Sequence, residues 1–331
     1  MPETRLDVLC IGNAIVDVIA HATDDFLSAE GLVKGSMRLI DAEEAERLYS
    51  HMGPAHEVSG GSAGNTAAGI AALGGRAGFI GQVAPDQLGE FYRHDLTAAG
   101  VEFITRAADV GVPTARSMIL VTPDGHRTMN TFLGAAQHLP ASALDDAQIR
   151  DSAILYLEGY LWDPETPRHA MVRAVEVARR AGRKVAFTLS DTFCVDRHRH
   201  GFNELLDTGR VDILFANQAE VEALAGVPHL ESAVKFVKDK VETLVVTRSE
   251  DGALATRGAE RADVPAEPIA KLVDTTGAGD LFAAGFLFGQ ARGRSLEQSL
   301  RLGAIAAAEV IQHYGARPEA DLRALAGELA A

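Results

Sequence analysis

The segment Asp274 to Asp280, DTTGAGD, combines residue types that suit an anion site beside a carboxylate. Gly277 and Gly279 permit backbone conformations closed to other residues, and Ala278 adds little bulk. The apolar stretch that follows is typical of a helix, whose first amide N–H groups point outward and favour an anion. Such donors meet the charge of a phosphate during transfer, while Asp280 would deprotonate the attacking hydroxyl. Alone, the segment is also consistent with a tight turn in which Asp280 stabilises the helix start.

Two common nucleotide-binding motifs are absent from the sequence. It contains no G-x-x-x-x-G-K-[ST], which excludes a P-loop. Position 282 is Phe, so the glycines at 277 and 279 lack the third glycine of a dinucleotide fingerprint. The first predicted strand is followed by Gly12-Asn13-Ala14-Ile15 rather than G-x-G-x-x-G, which argues against a Rossmann-type dehydrogenase.

Two segments near the amino terminus have residue types that bind a polar ligand. Residues 60–65 read GGSAGN and precede a small-residue helix. The pair Gly60-Gly61 lets a ligand approach the backbone, and Asn65 offers both a donor and an acceptor. Asp17 follows the first strand, where its carboxylate can accept two hydrogen bonds from the vicinal hydroxyls of a sugar. The simpler alternatives are a helix cap for residues 60–65 and a turn residue for Asp17.

Polar residues also follow a later strand, in the segment Asn217-Gln218-Ala219-Glu220. Asn217 and Glu220 are three positions apart on a strand-to-helix turn and can hold Mg²⁺ through its waters. The alternative is that Asn217 is a helix N-cap. The alternating charges and histidines of residues 196–200, DRHRH, are interpreted as an exposed polar loop rather than a metal site.

Strands and helices alternate over most of the chain, which predicts an α/β fold with a mostly parallel sheet covered on both faces. Strands are predicted at 7–11, 77–82, 153–157, 184–189, 212–216 and 243–247. Helices are predicted at 42–50, 63–73, 167–181, near 203, and at 219–225, 231–239 and 296–314.

Two stretches, about 16–40 and about 107–134, read instead as short alternating strands with turns. We expect them to meet in a small β-sheet that forms a lid over the carboxyl edge of the main sheet. The sequence has no internal repeat, low-complexity segment or linker, so residues 1–331 are expected to form one domain.

Composition excludes several classes of protein. With 46 acidic and 31 basic residues the net charge is −15, which is unsuited to a nucleic-acid partner. The longest apolar run, 281–289, is far shorter than the roughly 20 residues of a membrane span. Two cysteines give no disulfide framework, and the amino terminus does not resemble a signal peptide. We expect a cytoplasmic protein, either a monomer or a homodimer, that binds small molecules and no membrane.

Taken together, these segments resemble the PfkB carbohydrate kinase family, also called ribokinase-like. Its two signatures are Gly-Gly-x-x-x-Asn, here at 60–65, and D-T-x-G-A-G-D, here at 274–280. The resemblance implies an ATP-dependent kinase in which Asp280 is the base and residues 277–279 form the anion hole. It also implies that Asn217 and Glu220 serve Mg²⁺, and that Asp274 or Thr276 contributes to a K⁺ site.

Within the family, the sequence is most similar to adenosine kinases at residues 12–17, 124–128, 158–160, 188–193 and 211–220. The likeness implies that Asn13 and Asp17 bind the ribose, that Arg127 reaches the phosphate and that Tyr160 stacks on the purine. It places ATP beside Asn217, Thr247, Ser249, Gly252, Gly277, Gly279 and His313. The first glycine of the family's T-x-G-x-x-G turn is missing, because Arg248 and Ser249 follow Thr247. The alternative acceptor is a sugar such as ribose, fructose or 2-keto-3-deoxygluconate.

Overall fold

A computed structural model describes residues 4–330, which contain thirteen strands and twelve α-helices. The strands are β1 (Leu6–Ile11), β2 (Ile15–His21), β3 (Met37–Leu39), β4 (Ala55–Gly60), β5 (Ala77–Ile80), β6 (Ala115–Val121), β7 (Arg127–Phe132), β8 (Ser152–Glu158), β9 (Lys184–Thr188), β10 (Ile213–Asn217), β11 (Thr243–Thr247), β12 (Ala253–Arg257) and β13 (Glu260–Val264). The helices are α1 (Asp24–Ala29), α2 (Ala42–His51), α3 (Ser62–Ala72), α4 (Gln87–Ala98), α5 (Asp146–Arg150), α6 (Glu165–Arg180), α7 (Thr192–Asp207), α8 (Gln218–Ala225), α9 (Leu230–Val237), α10 (Ala278–Ala291), α11 (Leu296–Val310) and α12 (Leu322–Ala326).

The larger sheet has eight strands in the order β13-β12-β11-β10-β9-β8-β1-β5. The six strands from β11 to β5 are parallel, which confirms the predicted mostly parallel sheet. The antiparallel hairpin of β12 and β13 at one edge was not predicted. Its outer strand carries Glu260, Arg261 and Asp263 and is largely exposed, so it has no apolar run to mark it.

Helices cover both faces of this sheet because its central strands are buried on both sides. All six residues of β1 are buried. Val8 and Cys10 join a core with α3, α10 and α11, whereas Leu9 and Ile11 join a second core with α6, α7, α8 and α9. This period of two sends alternate side chains to opposite faces, as expected for a parallel sheet between helix layers.

A second sheet has five strands in the order β3-β7-β6-β2-β4. Four of its strands come from the two β-rich segments noted in the sequence, and β4 comes from outside them. The first segment also contains helix α1, which was not predicted. Leu27 of α1 and Leu48 of α2 pack against Met118 and Leu120 of β6 in a separate small core. Because β4 runs directly into α3, this sheet is joined to the start of residues 60–65.

The structure corrects two sequence predictions of local structure. Residues 196–200 lie within α7 rather than in a loop, because Asp191 caps the helix early and Phe202 and Leu206 anchor it in the core. The last long helix, α11, ends at Val310, so His313 lies beyond it. The carbonyl oxygen of Ile311 accepts the backbone N–H groups of Val273 (2.8 Å) and Asp274 (3.2 Å), which takes it out of the helix pattern. Within residues 4–330, no helix has the length and apolarity needed to cross a membrane.

Candidate active site

Polar residues lie at the carboxyl ends of four parallel strands, and three of them were predicted from the sequence. Asn13 follows β1, Glu158 ends β8, Asn217 ends β10 and Thr247 ends β11. The carboxyl ends of parallel strands lie at one edge of the sheet, which is where α/β proteins bind ligands. The start of α10 adds Asp280 to this group, since its carboxylate contacts the start of α3.

The start of α10 has the geometry of an anion site. Gly277 is the N-cap with φ of 78°, a left-handed conformation that favours glycine. No side chain in the described part of the chain caps this helix start. The N–H of Ala278 donates to the carbonyl of Thr275 (3.2 Å). Of the three residues of the predicted anion hole, Ala278 therefore has its backbone donor engaged.

The Asp280 carboxylate is held by two side chains of α3. The Ser62 hydroxyl donates to Oδ1 (2.6 Å) and the Asn65 amide donates to Oδ2 (2.9 Å). The Thr66 hydroxyl also donates to the backbone carbonyl of Asp280 (3.2 Å). These contacts bring the two glycine-containing segments together and fix the direction of the carboxylate.

Burial raises the pKa of the Asp280 carboxyl above its ordinary value. Hydrogen bonds from Ser62 and Asn65 and the positive charge of Arg317 act in the opposite direction. A carboxylate with a raised pKa is a better base than one in water, provided that it stays ionised at the working pH. Burial of Asp280 provides the raised pKa, and the contacts with Ser62, Asn65 and Arg317 favour the ionised form.

Asp17 lies against the paired glycines. A side chain at Gly60 would overlap the Asp17 carboxylate, and one at Gly61 would overlap the carbonyl oxygen of Asn13. Gly61 also has a φ of 83°. The turn from β4 into α3 therefore needs glycine at both positions. The Asp17 carboxylate lies against this turn, next to Gly60. Burial raises the pKa of Asp17 to about 6, while Arg127 and Arg317 lower it and Asp280 raises it further.

Glu158, at the end of β8, is a buried carboxylate to which the sequence gave no role. It accepts hydrogen bonds from the backbone N–H (2.7 Å) and side-chain amide (2.6 Å) of Asn13 and from the N–H of Ala63 (2.8 Å). Burial raises its pKa to about 7 against these hydrogen bonds. Asn13 was predicted to bind substrate, and its side-chain amide here is bonded to Glu158.

Arg127, at the start of β7, forms a buried ion pair with Asp274. Asp274 also accepts hydrogen bonds from the N–H groups of Thr276 (3.0 Å) and Gly315 (3.0 Å). Arg127 was predicted to reach the transferred phosphate, and in this structure it joins the second sheet to the segment before α10. Because a guanidinium already neutralises Asp274, this arrangement does not fit a K⁺ ion at that carboxylate.

A family model described as the pfkB family carbohydrate kinase matches residues 6–322. The chain belongs to this family. It is therefore a phosphotransferase with an alcohol group as acceptor, and the PfkB signatures are the segments that meet at Asp280.

Two solved structures and one curated relative are similar to this PfkB protein over nearly its whole length. An adenosine kinase from Sinorhizobium meliloti is 52% identical, with a TM-score of 0.90 over 97% of this chain and 98% of that one. A probable sugar kinase from Rhizobium etli CFN 42 is 49% identical, with a TM-score of 0.91 over 98% of each chain. The adenosine kinase of Saccharomyces cerevisiae is 28% identical over 93% of this chain and 95% of its own.

Tyr160 of the PfkB chain lies in a short 3₁₀ turn directly after β8. Its hydroxyl donates to the carbonyl of Ser190 (3.2 Å), and its N–H donates to the Ser190 hydroxyl (3.2 Å). Ser190 has an unusual φ of 74°. Burial raises the pKa of the Tyr160 phenol, and the charges of Asp191, Asp280, Glu220 and Glu158 raise it further. The hydrogen bonds to Ser190 thus fix the position of the Tyr160 ring near the carboxylates at this edge of the sheet.

Asn217 and Glu220 form a capping box at the start of α8. The Asn217 side chain accepts the N–H of Glu220 (2.8 Å), and Glu220 accepts both the N–H (2.9 Å) and the amide (2.6 Å) of Asn217. Burial raises the pKa of Glu220 to about 7, although the Asn217 N–H lowers it. Each oxygen of Glu220 accepts one hydrogen bond and retains a lone pair. The pair therefore fits Mg²⁺ held through water, and the predicted helix cap is also present.

The other residues predicted beside ATP, which are Thr247, Ser249, Gly252 and His313, lie in two turns. Thr247 ends β11, and Ser249 and Gly252 bound the turn into β12, which is closed by a bond from Arg248 N–H to Gly252 carbonyl (2.8 Å). His313 is bound to Glu309 (3.1 Å), whose same oxygen also accepts the N–H groups of residues 319 and 320. His313 thus has a partner in the structure that is unrelated to any nucleotide.

Ser62, Glu158 and Arg317 are site residues that sequence reasoning missed. Ser62 stands inside the x-x-x of the first signature, where no residue type is required. Glu158 ends an apolar strand and belongs to neither signature. Arg317 lies 37 positions after Asp280, outside both signatures. Of the three, only Glu158 carried a signal in the sequence, because it is a charged residue at the end of an apolar strand.

Proposed function

We propose that this phosphotransferase transfers the γ-phosphoryl group of ATP to the 5′-hydroxyl of a purine nucleoside, converting adenosine to AMP. One observation carries the proposal. The Asp280 carboxylate, fixed by Ser62 and Asn65 at an uncapped helix start, lies near Asp17, whose pKa it raises. The 52% identity with the Sinorhizobium meliloti adenosine kinase supports the nucleoside over other acceptors.

In the proposed reaction, Asp17 binds vicinal ribose hydroxyls and thereby directs the 5′-hydroxyl toward Asp280. Asp280 accepts the proton of that hydroxyl as its oxygen attacks the γ-phosphorus, while the bond from this phosphorus to the β,γ-bridging oxygen breaks and ADP leaves. The donors at the start of α10 balance charge on the phosphate oxygens. Tyr160 supplies an aromatic surface for the purine, and stacking of this kind contributes on the order of 1–3 kcal/mol per base.

Asn217 and Glu220 are the residues that would hold Mg²⁺, through its water ligands. When bound, the ion neutralises charge on the β- and γ-phosphates. The lone pair left on each Glu220 oxygen suits this role, because Mg²⁺ retains several waters in most nucleotide sites. Thr247, Ser249 and Gly252 are proposed to lie along the nucleotide, with His313 at its border.

We propose that the five-stranded sheet acts as a lid within a single domain. Arg127 supports this role, since it reaches from β7 to Asp274, six residues before the base. On ATP binding, its guanidinium would turn from Asp274 to the phosphate. A closed lid excludes water, which limits wasteful hydrolysis of ATP.

A sugar acceptor is the second candidate, because the chain is 49% identical to the probable sugar kinase from Rhizobium etli. A sugar kinase would use the same base and anion site. It would not need an aromatic surface at Tyr160, so replacing that ring should separate the two candidates. Tyr160→Ala should weaken nucleoside binding strongly and leave the binding of a free sugar unchanged.

The reaction is tested by identifying the product. Purified protein with MgATP and adenosine should give AMP, with the new phosphate shown by phosphorus NMR to be on the 5′ oxygen. 5′-Deoxyadenosine is the matched control, because it keeps the base and both ribose hydroxyls but lacks the acceptor. Phosphate transfer to 5′-deoxyadenosine, or to the 2′ or 3′ oxygen of adenosine, would contradict the proposed acceptor.

A further inference from the structure

Arg317 lies between α11 and α12 and binds the turn that carries the first family signature. One nitrogen donates to the carbonyl of Gly64 (2.9 Å). The other donates to the carbonyl and to the hydroxyl of Ser59, the latter at 2.9 Å. A single planar guanidinium thus spans both ends of residues 59–64, a geometry that a lysine ammonium cannot reproduce.

Side chains of α4 hold the same turn from another direction. Asp95 accepts the N–H (2.9 Å) and the hydroxyl (2.6 Å) of Ser59, and the Tyr92 hydroxyl donates to the carbonyl of Gly60 (3.1 Å). Ser59 therefore links the Asp95 carboxylate to the guanidinium of Arg317. These hydrogen bonds run from α4 to the segment after α11, and residues 59–64 lie between the two.

The positive charge of Arg317 also acts on the two carboxylates of the site. It lowers the pKa of both Asp17 and Asp280 against the effect of burial. Arg127 is the other cation that acts on Asp17. The charge of Asp280 in turn raises the pKa of the Asp17 and Glu158 carboxyls and of the Tyr156 and Tyr160 phenols. Arg317 itself faces Tyr92, Asp95, Asp17 and Asp280.

We infer that Arg317 is a positioning residue of the phosphoryl transfer, whose guanidinium clamps residues 59–64 and places a positive charge beside the Asp17 and Asp280 carboxylates. The inference rests on the proposed function for the role of Asp280 as base. The clamp sets the position of Ser62 and Asn65, which in turn orient Asp280. The charge allows two neighbouring carboxylates to be ionised together, which their mutual repulsion would otherwise oppose.

The sign of the effect follows from these contacts. Without the guanidinium, both carboxyls lose a favourable positive charge, so their pKa values rise. Each then becomes protonated at a higher pH, and the acid limb of kcat/KM moves to higher pH. Lysine retains the charge but not the clamp, so Arg317→Lys should raise the KM of the acceptor while leaving the acid limb nearly in place.

The test is a carboxyl titration by carbon NMR of the full chain labelled at the aspartate side-chain carbon. Spectra of Asp17→Asn and Asp280→Asn assign the two signals. In Arg317→Gln we expect both pKa values to rise, because each carboxyl loses the nearby positive charge that favours its ionised form. The titration needs no substrate, so it decides on the carboxylates even if no nucleoside is phosphorylated.

Arg93→Gln is the matched control. Arg93, on α4, also donates to two backbone carbonyls, those of Phe103 (2.9 Å) and Thr105, but it does not act on either site carboxylate. It should lower the melting temperature without moving either titration. If Arg317→Gln behaves in the same way, the inference is wrong and Arg317 is merely structural. Should that variant not fold, an unchanged acceptor KM in Arg317→Lys would overturn the inference equally.

Discussion

The two hydrogen bonds to Asp280 come from neutral donors on a different helix, and each occupies one carboxylate oxygen. Neutral donors orient a carboxylate without cancelling its charge, whereas an arginine in direct contact would weaken it as a base. Asp274, six residues earlier, has that direct contact with Arg127. Two aspartates of one signature thus have different chemical environments, and only Asp280 is suited to accept a proton.

Replacing Asp280 by asparagine should reduce kcat between about 100-fold and 10,000-fold, the range that general-base catalysis contributes. The acceptor should still bind, because the substitution preserves shape. Binding is measured by calorimetry and turnover by a coupled assay. Asp212→Asn is the control, since Asp212 bonds Val185 N–H (2.7 Å) just before β10, at the opposite edge of the sheet. Near-normal turnover in Asp280→Asn would remove this residue from the role of base.

The raised pKa values predict that kcat/KM falls at low pH. Asp17 has a pKa of about 6 and the pKa of Asp280 is also raised, and the proposed roles require both carboxyls to be ionised. kcat/KM should therefore be full above these values and fall as the pH drops through about 6. The measurement is a pH profile of kcat/KM, with the fluorescence of the buried Trp162 as a check on folding. A flat profile between about pH 5 and pH 8 in folded protein would contradict the assignment.

At the scale of elements, the turn from β4 into α3 and the start of α10 must be placed accurately for Ser62 and Asn65 to reach Asp280. Each begins with a glycine at positive φ, Gly61 and Gly277. The turn is further held by Glu158, which accepts the N–H of Ala63. Because Ser62 and Asn65 follow Gly61 within one helical turn, any shift of this segment is passed directly to Asp280.

Gly61→Ala should therefore reduce both stability and activity. A positive φ of this kind costs alanine about 1 to 3 kcal/mol, and the added methyl group would also overlap the Asn13 carbonyl. Gly111→Ala is the control, since Gly111 has a φ of 79° but open space around it. We expect Gly111→Ala to lower the free energy of unfolding by the backbone cost alone, with normal kcat. Equal losses in the two variants would show that the overlap at residue 61 has no consequence.

For the whole molecule, the alternation of strands and helices was enough to predict the parallel sheet and its two helix layers. The hydrophobic pattern specifies these elements because their strands are buried on both faces. β4 and α1 escaped prediction, since the exposed start of β4 and the six residues of α1 give too little periodicity. Short elements of this kind are stabilised by tertiary packing rather than by their own sequence.

The candidate site was predictable where a residue type is demanded by its chemistry. Asp280, Asn65 and the glycines were predicted in this way. Glu158 and Arg317 were not, because their roles arise from contacts between residues 95 or more positions apart in the chain. The engagement of Arg127 with Asp274 could not be foreseen either, since it depends on how the second sheet meets the first.

The central claim, a phosphotransferase that acts on a purine nucleoside, is tested most directly by comparing acceptors. kcat/KM is measured with MgATP and adenosine, inosine, guanosine, ribose, fructose and 2-keto-3-deoxygluconate on one preparation of the protein. We predict the highest kcat/KM for adenosine, exceeding each free sugar by more than about tenfold, or about 1.4 kcal/mol in transition-state stabilisation. A free sugar used about tenfold more efficiently than every nucleoside would contradict the account.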